Sequence, residues 1–134
     1  MAENETGTFE RSVASFGSFD QILRKIKFGL PQFGRGITPF TVREVLDAVA
    51  DDRVDSRSHQ SSELNAECLE VCKGDVDAAI AWSRKFHIER VAFFVKNGWD
   101  DPIELTEDKW SDGSHRLLAA VVKGDITIKC YAAK

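Results

Sequence analysis

The chain has 134 residues, 43% hydrophobic and 30% charged, which is room for one compact domain and not for two. Its formal net charge of -4 argues against a dedicated, strongly basic nucleic-acid binder, and it offers no run of about 18 uncharged residues for a membrane span. The acidic start Met-Ala-Glu-Asn-Glu is unlike a signal peptide and three cysteines do not make a secreted disulfide framework, so a soluble protein in the reducing cytoplasm is expected.

Residues 1–10 carry three glutamates and little apolar content, and are expected to stay disordered. Residues 11–86 are then expected to be helical. Ser18 and Gln21 form a capping-box pattern, after which Phe19, Ile22, Leu23 and Ile26 line one side of a helix that should stop near Gly29 and Pro31. Glycines and a proline make residues 30–37 a loop. Thr38 before Pro39, with a second capping box at Thr41 and Glu44, starts a helix whose buried stripe is Val42, Val45, Leu46 and Val49. The polar run from Asp51 to Ser62 reads as an exposed connection. Leu64, Cys68, Val71 and Cys72 then keep the helical period as far as Gly74. Asp75 is placed to cap a new helix that buries Val76, Ala79 and Ile80. A separate helix from about Ile88 buries Val91, Ala92 and Val95 and ends at Asn97-Gly98.

Beyond Gly98 the period changes from helical to extended. Residues 102–106 alternate with period two, Glu107-Asp108 is a turn, and Lys109-Trp-Ser111 returns as a hairpin. A helix from about His115 to Val122 follows Gly113, and Ile126, Ile128 and Cys130 form the inward side of a last strand. The expected fold is therefore α+β, a small mixed sheet in residues 87–134 behind a helical N-terminal part.

The segment that points to chemistry is Asp112-Gly-Ser-His-Arg116, which joins an extended run to the start of an apolar helix. First-turn amides of a helix lack internal partners and carry positive partial charge, so a glycine-permitted loop there suits an anion. Arg116 in the first turn opposes the helix dipole, a mild cost that an anionic ligand would offset. Ser114 and His115 add a hydroxyl and an imidazole. In the competing reading Asp112 or Ser114 simply caps the helix and Arg116 pairs with Asp101, Glu104 or Asp112.

This order of features resembles the ParB/sulfiredoxin superfamily: Asp101-Pro-Ile-Glu-Leu105, a short hairpin, Asp112-Gly-Ser-His-Arg-Leu-Leu-Ala-Ala120, then Gly124 and a closing strand. The helix ending in Asn97-Gly98-Trp99 fits the same pattern, and the likeness covers about residues 87–131. It implies that Gly113, Ser114, His115 and Arg116 hold the phosphates of a nucleotide such as ATP, ADP or CTP, or of a phosphorylated small molecule; the acids Asp100, Asp101, Glu104, Glu107 and Asp108 near the loop make magnesium a candidate companion. It also leaves phosphotransfer or hydrolysis open as an activity. Sulfiredoxins have a cysteine where this chain has Ser114, so their thiolate chemistry is not expected here. The DNA-binding helix-turn-helix of the partition proteins has no counterpart, and the N-terminal strand and acidic catalytic position of the small free-standing members match nothing before His87. No catalytic residue is therefore assigned.

Two alternatives belong to other classes. One, which the resemblance alone implies because small free-standing relatives of the fold occur in plasmids and phages, is a non-catalytic interaction protein acting on host DNA metabolism or defence. The other is nucleic-acid binding or nuclease activity, for which the acid-free run from Leu23 to Arg35 supplies Arg24, Lys25, Lys27 and Arg35 with two phenylalanines between them. Cys68 and Cys72, with His87 or His59, have neither the usual zinc spacing nor a loop setting, and are read as buried thiols; no metal site is assigned. Asp101, Glu104 and Asp112 are the acidic neighbours of the proposed phosphate loop. Residues 66–82 resemble the last two helices of ubiquitin-associated domains without their Met-Gly-Phe-like loop, and are read as a general helix-turn-helix packing.

Overall fold

The computed structural model describes residues 7–26, 39–56, 61–107 and 109–133, with side chains from residue 66 onward in the third of these stretches. The expectations for residues 1–6, for the loop at 30–37, and for Lys27, Arg35, His59, Leu64 and Asp108 lie outside the described residues. The fold is α+β, as the change of period after Gly98 predicts.

Two capping boxes form as the sequence dictates. The Gln21 amide donates to Ser18 Oγ at 3.2 Å and the Ser18 amide to Gln21 Oε1 at 2.9 Å, starting α1 (Phe19–Lys25). Thr41 and Glu44 exchange the same pair of bonds at the start of α2 (Val42–Ala50). The helix α3 (Ser61–Cys72) buries Cys68 and Cys72, and leads into α4 (Val76–Asn97), which is capped by Asp75 Oδ1. Strands β2 (Ile103–Thr106) and β3 (Lys109–Asp112), helix α5 (Ser114–Lys123) and strand β4 (Thr127–Ala132) complete the C-terminal part.

Four expectations are corrected. Residues 8–12 are not disordered or helical: they form β1 (Thr8–Ser12), an edge strand antiparallel to β4 that sets Glu10 opposite Lys129 and Phe9 opposite Cys130. A hydrogen bond from Thr127 Oγ1 to Glu10 Oε1 adds to this ladder, whose partner lies more than a hundred residues away and leaves no local signal. The boundary proposed at residue 86 is absent, since α4 runs unbroken through the polar stretch around Arg84 and Lys85. The apolar stripe lapses there because Ser83, His87 and Glu89 are themselves buried, where a sequence reading expects polar residues to face water. Finally, Leu46, Val71 and Ile126 are exposed rather than inward, and Ile126 precedes the strand assigned to it.

The sheet order is β1-β4-β2-β3, with β2 parallel to β4 and the other two pairs antiparallel. One continuous core joins Ile22 and Leu23 of α1, Val45 of α2, Val91 of α4, Ile103 of β2, Leu117 and Leu118 of α5, and Ile128 and Cys130 of β4. The helical and sheet portions are thus one packing unit. A smaller cluster of Cys68, Cys72 and Ala79 holds α3 to the start of α4.

Candidate functional site

The hairpin delivers the chain to the start of α5 through Gly113, which sits at φ 99° and ψ 27° in the left-handed region. A Cβ at this position would lie 2.6 Å from Ile103 Cγ2, so both the conformation and the packing require glycine. No side chain caps α5, and its first intrahelical bond runs from the Leu117 amide to the Gly113 carbonyl at 2.9 Å. The first-turn amides of α5 precede that bond and lie at the positive end of the helix dipole.

The four loop residues take different directions. Trp110 Nε1 donates to Ser114 Oγ at 3.1 Å, which leaves the Ser114 hydroxyl proton available to another acceptor. Arg116, whose side chain is 15% exposed, donates through Nη1 to the carbonyls of Asp101 and Pro102 at 2.9 and 3.1 Å, while its Nη2 lies 3.7 Å from Asp112. It ties the approach to β2 onto the first turn of α5.

His115 turns toward α4, where its Nε2 meets His87 Nδ1 at 2.9 Å. One imidazole donates in this pair and the other accepts, which requires that the accepting ring be neutral. Phe86 lies edge-on to both rings. Burial pushes the His87 imidazole down to about 3, and pushes His115 well below its ordinary value, aided by the charges of His87, Arg90 and Arg116.

A groove of about 560 Å³ opens on the other side of Ser114. Three cations line it from three elements: Arg11 of β1, Lys25 at the end of α1 and Lys109 of β3. Three hydroxyls, Ser15, Ser111 and Ser114, are interleaved with them, and Phe16, Ile26 and Trp110 form its apolar part. Phe16 and Trp110 pack edge to face at 6.1 Å between centroids, and the Arg11 guanidinium stands 5.3 Å from the Phe16 ring centre. No carboxylate is among the described residues that line this groove.

The structure therefore distributes the expected residues. Among the described residues of the loop, Ser114 lines the groove, whereas Gly113, His115 and Arg116 shape the turn and fix the helix behind it. Lys25 reaches the groove from the basic run, and Arg24 points elsewhere, to Asp20 at 3.2 Å. Glu104 accepts from Ser111 Oγ at 2.7 Å and from the Tyr131 hydroxyl at 3.1 Å. Among the described residues no three or more His, Cys, Asp or Glu side chains converge as metal ligands. Arg11, Ser15, Lys109 and Trp110 were missed as site residues. The lone signal for them was Lys109-Trp110 beside the loop in a hairpin, because Arg11 and Ser15 belong to a strand and turn that only pairing with β4 creates.

Comparison with protein-family models, with curated proteins and with solved structures finds no match to the chain, so its chemistry rests on this geometry.

Proposed function

We propose that the protein binds a phosphorylated ligand, a nucleotide or a phosphorylated small molecule, in the groove at the start of α5. The observation that carries this reading is a groove lined by Arg11, Lys25 and Lys109 beside Ser114, the first residue of α5, with no carboxylate among the described lining residues. Phosphate oxygens take charge-assisted hydrogen bonds from such cations and amides, and Ser114 offers its hydroxyl as a further donor. The resemblance to the ParB/sulfiredoxin superfamily supports the same assignment for the loop. Gly113, His115 and Arg116 act here as positioning residues. The reading is of binding, and no reaction is assigned.

The test is calorimetry and thermal shift of the folded protein against ATP, ADP, CTP, GTP and inorganic phosphate, since a ligand of the native state raises its melting temperature. Lys25→Ala and Lys109→Ala should each weaken binding roughly tenfold, the size of one lost charge-assisted contact, with stability almost unchanged. Unaltered affinity in both variants would refute the placement of the ligand. Strong preference for a single-stranded oligonucleotide, with a steep salt dependence, would instead favour the nucleic-acid alternative that Lys25 and Trp110 also suit.

A further inference from the structure

The hydroxyls of Ser15, Ser111 and Ser114 all line the groove, but their protons are not equally free. A serine hydroxyl has a single proton to donate and lone pairs with which to accept, so what it can offer a ligand depends on which of these the protein has already taken. Ser15 Oγ donates to the Ser12 carbonyl at 2.6 Å. Ser111 Oγ donates to Glu104 Oε1 at 2.7 Å and accepts from Thr106 Oγ1 at 2.7 Å. Both of these protons are spent inside the protein. Ser114 is the opposite case: its Oγ accepts from Trp110 Nε1 at 3.1 Å and donates to none of the described residues.

An indole N–H can only donate, so it claims a lone pair of Ser114 Oγ and never competes for the proton. The indole is itself held in place. Trp110 is half-buried on β3, and Phe16 packs against it edge to face at 6.1 Å between centroids. With one lone pair fixed by a rigid neighbour, the hydroxyl of a half-buried serine turns its proton away from the indole, and an acceptor in the groove can take it. Among the acceptors of a phosphorylated ligand, a charged phosphoryl oxygen makes the strongest such bond.

From this geometry we infer that Trp110 is a positioning residue of the groove, whose indole N–H orders the Ser114 hydroxyl as a donor to an unprotonated phosphoryl oxygen of the ligand. This assignment rests on the proposed phosphate-binding function and names how one contact of that site is made. A hydroxyl ordered before the ligand arrives loses little freedom on binding, an advantage of roughly threefold in affinity.

The test is a double-mutant cycle read by calorimetry of the full chain with inorganic phosphate and with ADP. It compares the wild type, Ser114→Ala, Trp110→Phe and the variant carrying both changes, with urea midpoints to confirm that each is folded. Ser114→Ala should weaken binding roughly tenfold, the size of one charge-assisted hydrogen bond, and Ser114→Thr, which keeps a hydroxyl, should recover part of the loss. Trp110→Phe keeps a ring against Phe16 and removes the N–H. It should weaken binding roughly threefold when residue 114 is serine and not at all when it is alanine. A packing role alone would give the same effect in both backgrounds, so equal effects, whether a loss or none, overturn the positioning role. Wild-type affinity in Ser114→Ala, with Lys25→Ala and Lys109→Ala still weakened, overturns the hydroxyl contact and leaves the proposed function intact. No binding of either probe to the wild type removes both.

Discussion

The groove at α5 and the cleft between α2 and α4 each carry three basic side chains, yet they are opposite environments. In the cleft, of about 290 Å³, Arg84 grips Glu44 through two bonds of 2.5 and 2.6 Å and also donates to the Pro39 carbonyl at 3.1 Å. Lys85 pairs with Glu89 at 2.9 Å and Arg53 with Asp51 at 3.2 Å. Every cation there has a carboxylate of its own, and the cleft needs nothing from solution. In the groove, Lys25 and Lys109 have no such partner among the described residues, and the hydroxyls and Trp110 stand between the charges. Neutralisation, rather than the number of basic residues, separates a structural ion network from a candidate anion site.

Acid should break the two regions at different pH values, and this is the largest effect expected. The buried histidines behind the groove have lowered values, so below the ordinary 6.5 the unfolded chain binds protons that the native state refuses. Stability is therefore level above pH 6.5 and falls below it, by up to about 1.4 kcal/mol per pH unit for each histidine, until His87 itself titrates at about 3. On the cleft side, Arg84 holds the Glu44 carboxyl below its ordinary 4.5. That contribution is present above pH 4.5 and is lost as pH falls through the lowered value. Urea denaturation across pH 4 to 8 should show the histidine-linked decline first, and the double replacement His87→Phe with His115→Leu should flatten it. A level curve from pH 8 to 5 in the wild type would contradict the neutral pair.

Gly113→Ala comes next. Left-handed strain and the 2.6 Å approach to Ile103 together should cost about 3 kcal/mol, read as a lower urea midpoint at unchanged slope. Arg116→Ala should cost about 2 kcal/mol by removing charge-assisted bonds to two backbone carbonyls. Its effect on ligand affinity should be smaller than that of Lys109→Ala, and the reverse order would place the guanidinium on the ligand. The smallest effect belongs to the cleft. Arg84→Ala should lower stability by about 1 kcal/mol, since both partners are about a third exposed, and should leave nucleotide affinity unchanged in calorimetry.

Much of this was legible in the chain because the interactions concerned are local. The Ser18 and Thr41 capping boxes, the hairpin before Gly113 and the stop at Gly124 each depend on residues within a few positions of one another, and each stands in the structure as its pattern predicts. The site was only half legible. The loop from Gly113 to Arg116 announced a helix start behind a glycine turn, but not that His115 would turn inward to His87 or that Arg116 would spend its donors on Asp101 and Pro102.

Sequence by itself thus determined the α+β class, the segment where a helix N-terminus meets a glycine turn, and the basic run that contains Lys25. Tertiary structure decided that Arg11 and Lys109 stand across from it, because β1 finds β4 only through a ladder between the two ends of the chain and β3 is placed by its pairing with β2. It also decided that α4 is one helix, by burying Ser83, His87 and Glu89 against neighbours that no local period encodes. Short-range hydrogen bonding is written in neighbouring residues, whereas charge convergence depends on contacts distant in sequence, and a single chain read in order does not display those.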